Sequence, residues 1–229
     1  MASIDLKRFE VQNLKPTAYY LPEFISKSDE EALLANVYAA PKPKWTQLSH
    51  RRLQNWGGIP HQRGMIAESL PAWLDGLTGR VHALRMMGGR MPNHVLVNEY
   101  CCGQGIMPHV DGDLFYPTIA TVSAGSHTVL KFMEPAGGGE DNTGGRRDSP
   151  GSLLLEPRSL LLLQDSLYTH YLHCIEELAE DILDDSIVNL NSCSNKYVKG
   201  FTVRRGTRVS FTIRHVPKTS SFKINIGNK

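Results

Sequence analysis

From His94 onward the chain breaks into short runs of β-branched, aromatic and leucine residues, at 94–100, 118–123, 128–133, 152–156, 160–163, 168–175 and 208–215. Glycine, proline, aspartate and serine punctuate them. Runs this short read as strands, and none can satisfy its backbone or cover its apolar face alone. A succession of them folds as a β-sandwich or barrel. The N-terminal part has a different texture. Ser28-Asp29-Glu30-Glu31 has the spacing of a capping box, Ala32, Leu33, Leu34 and Val37 follow on one side, and Pro41 stops the helix. A second helix starts at Pro71, with Leu70, Trp73, Leu74, Leu77, Val81 and Leu84 at helical spacing and Gly88-Gly89 at its end.

This is a mostly β (α+β) plan, with helices first and a barrel-like core second. The division falls at 1–92 and 93–229, within one structural unit, and suits a chain of 229 residues. Two stretches read as insertions: 136–151, rich in Gly, Asp and Arg, and 176–200, acidic and helical at its start, then rich in Asn and Ser. A net charge of +2 gives no general argument for a nucleic-acid partner, so such an argument must rest on local patches. No apolar run approaches the length of a bilayer span, and Met1-Ala2-Ser3-Ile4-Asp5 does not read as the start of a signal peptide. Cys101, Cys102, Cys174 and Cys193 have no C-x-x-C spacing and read as reduced thiols. The expectation is a monomer of the cytoplasm and nucleus with no membrane partner.

His109-Val110-Asp111 places an imidazole and a carboxylate on one face of a strand, where both can reach one metal ion. A chain with nine histidines meets such a triplet by chance too often for it to stand alone, and an exposed turn before Gly112 is the alternative. Downstream, 168–175 carries His170 and His173 on a run of the same core. Two histidines and one carboxylate leave three positions of an octahedron open, as in non-haem iron(II) oxygenases. Zinc would more often take a closed set of His and Cys ligands, which the chain lacks. In 208–214, a period of two puts Arg208, Ser210, Thr212 and Arg214 on one face and Val209, Phe211 and Ile213 on the other. Such a strand can line a polar cavity and offer arginine forks to carboxylates, or it can be an amphipathic surface strand. Asn98 and Tyr100 also share a face; they supply an amide and a phenol to a ligand, or Tyr100 is simply a core-edge residue.

The order Asn98-x-Tyr100, Gly103 to Gly105, His109-x-Asp111, His173-x-Ile175 and Arg208-x5-Arg214 resembles the AlkB family of iron(II)/2-oxoglutarate-dependent dioxygenases over roughly 93–216. Tyr19-Tyr20-Leu21-Pro22, Lys42-Pro43-Lys44-Trp45, Leu53-Gln54-Asn55-Trp56-Gly57-Gly58 and Glu156-Pro157-Arg158-Ser159 extend the likeness, toward the subfamily called AlkB homologue six. The resemblance implies a double-stranded β-helix (jelly-roll) core buttressed by N-terminal helices. It implies Fe(II) held by His109, Asp111 and His173, with 2-oxoglutarate as cosubstrate and dioxygen as oxidant. His173 takes precedence over His170 because the family follows its ligand with a small and then an aliphatic residue, as Cys174-Ile175 does here. Arg208 would grip the distal carboxylate of 2-oxoglutarate with Asn98 and Tyr100. Arg214 would brace the metal end of the cosubstrate or orient Asp111. Lys131 rivals Arg208 if it points inward.

The family places its nucleotide-recognition lid in the region of 41–67. That stretch has no Asp or Glu but carries Lys42, Lys44, Arg51, Arg52 and Arg63 with Trp45 and Trp56 between them. Cations for phosphates and aromatic faces for unstacked bases are what a nucleic-acid lid needs. Trp45, Arg51, Arg52 and Trp56 are the candidate substrate contacts, and two tryptophans packed on the barrel are the alternative. RNA or DNA bearing alkylated bases is the expected substrate. A protein side chain modified by the same chemistry, or a binding module with little catalysis, are the rival readings.

Overall fold

The computed structural model describes residues 4–14, 17–135 and 150–220. In chain order the regular elements are β1 (Ala18–Leu21), α1 (Lys27–Ala39), β2 (Thr46–Leu48), β3 (Arg51–Trp56), β4 (Met65–Ile66), α2 (Asp75–Ala83), β5 (His94–Tyr100), β6 (Ile106–His109), β7 (Thr118–Ala124) and β8 (Thr128–Met133). They continue with β9 (Ser152–Leu155), β10 (Leu160–Gln164), α3 (Asp165–Thr169), β11 (Leu172–Ile175), β12 (Glu180–Ile182), β13 (Thr202–Arg204), β14 (Arg208–Arg214) and β15 (Thr219–Ser220).

Two sheets form the body: a seven-stranded one in the order β1-β10-β7-β14-β5-β3-β2 and a four-stranded one in the order β6-β11-β8-β9. Leu130, Phe132, Leu153, Leu155 and Ile175 of the small sheet meet Tyr20, Ile119, Leu161 and Leu163 of the large one in a shared apolar core. This is the jelly-roll layout. The outer face of the large sheet is covered by α1 and α2: Leu33, Val37, Leu77 and Val81 pack on Val95, Val97, Val122, Val209, Phe211 and Ile213. All seven residues of β14 are buried. Its apolar side lies under the helices and its polar side faces inward, so it is no surface strand.

Several local expectations need correction. Helix α1 is capped by Ser26 with Asp29, two residues ahead of the Ser28–Glu31 pair. The earlier start lets Asp29 also meet Arg80 at 2.8 Å and turns Glu30 inward to the Gly125 amide (2.8 Å) and Arg158 (3.0 Å). The helix expected at Pro71 opens as a 3-10 turn over Ala72–Leu74 and becomes α-helical only at Asp75. The run 168–175 divides, its first two residues closing α3 and its strand starting at Leu172. The start of 176–200 forms strand β12, paired with β13, where its composition predicts a helix. The 41–67 stretch contributes β2 and β3 to the edge of the large sheet, so the N-terminal part adds strands as well as helices. Most of the 136–151 insertion lies outside the described residues. Among the described residues no helix is long and apolar enough to cross a membrane.

Candidate active site

Strands β6 and β11 pair so that His109 and His173 are direct partners, with ring centroids 4.4 Å apart. Strand β6 ends at His109, and Asp111 follows on a loop that the Tyr168 hydroxyl pins by donating to the Gly112 carbonyl at 2.7 Å. One donor atom each from His109, Asp111 and His173 lies within 4.8 Å of the others. His109 donates Nδ1–H to the Met107 carbonyl at 2.8 Å, which leaves Nε2 with its lone pair. Burial holds His173 down to about 4, with Asp111 opposing, so its imidazole is neutral and fit to bind a metal. Arg214 donates Nη2–H to Asp111 Oδ1 and fixes the carboxylate. Asp111 Oδ2 is then buried with no hydrogen-bond partner among the described residues, and Nε2 of His173 stands 3.7 Å from it. A buried oxygen left unmatched is costly, and a cation at this point satisfies it.

The rest of the site is a grid on the inner face of the large sheet. Strand β5 pairs on one side with β14, placing Tyr100 against Arg208, Asn98 against Ser210, Leu96 against Thr212 and His94 against Arg214. On its other side Asn98 faces Leu53 and Leu96 faces Asn55 of β3. From these rows Leu96, Asn98, Tyr100, Arg208, Ser210, Thr212 and Arg214 line, with the triad, one cavity of about 580 Å³. Among the described residues Arg208, 4% exposed, hydrogen-bonds only to the Ser123 hydroxyl, at 3.2 Å from Nε and 2.9 Å from Nη2, and its guanidinium lies 5.7 Å from the Tyr100 ring. Burial lowers its pKa to about 10, and no described carboxylate reaches it. A deep guanidinium with only a neutral partner is a site for an anionic ligand. Leu48, Met107 and Val110 form an apolar rim at the cavity, and a His50–Glu177 pair at 3.2 Å lies there too.

The other sequence candidates divide. Lys131 is half-exposed and paired with Glu176 at 2.5 Å, away from the cavity. His170 is exposed and meets Glu134 at 3.0 Å. Strand alternation separates the two arginines: Arg51 faces the cavity, whereas Arg52 turns to the helix side, bound to Glu99 at 2.6 and 2.9 Å and stacked on Trp45 at 4.0 Å. Trp56 packs edge-on to Trp73 at 5.4 Å and donates to Gln54 at 2.9 Å. Trp45, Arg52 and Trp56 thus lie on the covered side of the sheet, as the packed-tryptophan alternative holds. Sequence reasoning missed Ser123, which holds Arg208, and Phe115, over whose ring the Arg214 guanidinium lies at 4.4 Å. Ser123 shares its β7 face with Ile119 and Thr121, so alternation alone could have found it. Nothing in the sequence singles out Phe115.

The family model of the 2OG-Fe(II) oxygenase superfamily matches residues 41–214, a span holding the triad, the cavity and its three arginines. The chain belongs to that superfamily. Iron(II), 2-oxoglutarate and dioxygen are therefore its cofactor and cosubstrates, and the unmatched Asp111 oxygen and Arg208 fork fit the first two. Within the 2OG-Fe(II) oxygenases it is AlkB-like. It is 50% identical over 228 residues to the Danio rerio protein named Probable RNA/DNA demethylase ALKBH6, across 99% of this chain and 97% of that one. It is 27% identical to tRNA (carboxymethyluridine(34)-5-O)-methyltransferase ALKBH8 of Macaca fascicularis, across 93% of this chain but 32% of that longer protein. The solved structure of OsALKBH1 superposes with a TM-score of 0.55 at 13% identity, covering 88% of this chain and 98% of that one, a likeness of fold.

Proposed function

We propose that this 2OG-Fe(II) oxygenase demethylates alkylated nucleobases in RNA or DNA. His109, Asp111 and His173 hold the iron, and Arg208, Asn98 and Tyr100 hold the distal end of 2-oxoglutarate. The observation that carries the reading is the shared cavity: a two-histidine, one-carboxylate set and a buried, acid-free guanidinium line the same space. The full-length likeness to the Danio rerio ALKBH6 supports the choice of nucleic acid. With iron and 2-oxoglutarate bound, the chemistry supplied is oxidative decarboxylation: one oxygen atom of O2 enters succinate, carbon dioxide leaves, and the other oxygen enters a substrate C–H bond. A hydroxylated N-methyl group then breaks its C–N bond and departs as formaldehyde.

The chain's own residues do the rest. Arg214 locks Asp111 Oδ1, so Oδ2 is presented to the metal in one orientation. An apolar inner wall of Ile119, Leu130, Leu161 and Leu163 keeps water from the floor of the cavity. Leu48, Met107 and Val110 can flank a planar base at the rim, and the His50–Glu177 pair offers it polar contacts. The four free thiols suit a monomer working in the cytoplasm and nucleus. A protein substrate is the second reading, favoured by the packing of Trp45 and Trp56 away from the cavity. The test is to load the enzyme anaerobically with iron and 2-oxoglutarate, admit air, and follow succinate and formaldehyde with methylated oligonucleotides or peptide pools. Formaldehyde release on oligonucleotides, lost in His109→Ala, is the expected result. Turnover stimulated by peptides alone would move the assignment to protein.

A further inference from the structure

Resting on the dioxygenase reading of the cavity, we infer that Arg51 is a second guanidinium of the 2-oxoglutarate site, facing the distal carboxylate from the side of Tyr100 opposite Arg208. The register carries this. Strand β3 pairs Leu53 with Asn98 and Arg52 with Glu99, and continuing the ladder by one sets Arg51 beside Tyr100. Arg208 is the partner of Tyr100 on the other side. Arg51, Tyr100 and Arg208 therefore form one row across three strands, and all three line the cavity.

Charge points the same way. Of the three arginines in the cavity, Arg214 has a carboxylate partner in Asp111. Arg208 has the Ser123 hydroxyl, and Arg51 donates Nε–H to Asn98 Oδ1 at 3.1 Å. The other lining carboxylate, Glu177, is paired with His50. Burial raises the Tyr100 hydroxyl, and Arg208 and then Arg51 pull it back, so both cations act on the same phenol. Two guanidiniums with neutral partners around one hydroxyl repel each other until an anion joins them. A carboxylate accepts at about four lone-pair sites, more than one arginine fork fills. Serving instead as a phosphate contact, as the basic composition of 41–67 suggests, would require Arg51 to leave the cavity and its bond to Asn98.

The experiment compares 2-oxoglutarate with 2-oxoglutaramate, in which a neutral amide replaces the distal carboxylate. Binding is measured by titration calorimetry on manganese(II)-loaded protein, with anisotropy of a labelled single-stranded oligonucleotide in parallel. Arg51→Gln should weaken 2-oxoglutarate roughly tenfold or more and leave the amide unchanged. Arg51→Lys, which keeps the charge, should recover part of that loss for 2-oxoglutarate alone. Unchanged 2-oxoglutarate binding, or equal loss for both ligands, overturns the inference, and a loss confined to the oligonucleotide overturns it in favour of a substrate contact. If the wild type binds no 2-oxoglutarate, the dioxygenase reading falls and takes this inference with it; if only the Arg51 result fails, that reading stands.

Discussion

Arg208 and Lys131 show how burial decides which of two cations serves a ligand. Arg208 is enclosed against Ser123, while Lys131 is half in water with Glu176 already beside it. Arg208→Ala should therefore weaken 2-oxoglutarate by about 2–5 kcal/mol, because the carboxylate loses a desolvated partner. Lys131→Ala should change it by about 1 kcal/mol or less, as for an exposed pair. Calorimetric titration of both variants checks the ranking, and the reverse order would return the role to Lys131. His94 gives a prediction in pH. Burial, with the charge of Arg214 second, pushes it down to about 3, so the fold holds it neutral. The unfolded chain takes up that proton near the ordinary histidine value of about 6.5. Between these values the unfolded state binds more protons, so His94 makes stability rise with pH across that window and fall as acid is added. Urea unfolding of the metal-free protein from neutral pH to about pH 4 should show a shallower acid loss in His94→Gln than in the wild type. The inner row of β14 is readable from sequence because polar and apolar residues alternate without a break. Which of Arg51 and Arg52 turns inward is not readable, since two adjacent arginines carry the same chemistry and only the pairing of β3 with β5 separates them.

The metal site depends on how two short strands approach each other, and one glycine sets that approach. A Cβ added at Gly105 would lie 2.2 Å from the Ile175 carbonyl oxygen, a backbone atom with little room to yield. Gly105→Ala should force β6 and β11 apart, costing roughly 1–3 kcal/mol of stability and separating His109 from His173. Denaturant unfolding together with iron content by elemental analysis checks both effects; wild-type values for each would mean that the loop absorbs the methyl group. At this scale the sequence marks long periodic strands well, and β5 and β8 have the bounds expected. It marks poorly the places where two signals overlap. Ser26-x-x-Asp29 and Ser28-x-x-Glu31 are both capping patterns, and the choice between them is made by Arg80, far along the chain. The acidic start of 176–200 has helical composition, but Asp181 is held in a buried ion pair with Arg205 and its strand pairs with β13.

Across the whole molecule the segment after the distal histidine is fastened at two buried points. Asp181 receives both Arg205 bonds at 2.6 Å, with His127 at 3.2 Å, and Glu156 accepts from Tyr20, Ser194 and Asn195. Asp181→Ala leaves Arg205 buried without its carboxylate, with the Glu176 carbonyl still accepting from it at 2.7 Å, so a loss of about 3–5 kcal/mol is expected in denaturant unfolding. Limited proteolysis should then cut within 183–201 faster than in the wild type, and an unchanged cleavage pattern would show the Glu156 anchor to be sufficient. The order of the large sheet has one further consequence, for synthesis. Strand β14 lies between β5 and β7, yet it is made after both and after every strand of the small sheet. Until β14 is made, the edges of β5 and β7 that it pairs with in the finished sheet have no such partner, and unpaired long edges are prone to wrong pairing. Arg208 and Arg214 emerge with that same late strand, so the growing chain has its iron ligands before it has Arg214 to orient Asp111. The cosubstrate arginine and the brace of Asp111 are thus among the last parts of the site to be synthesised, and until then these edges are what a chaperone would have to shield.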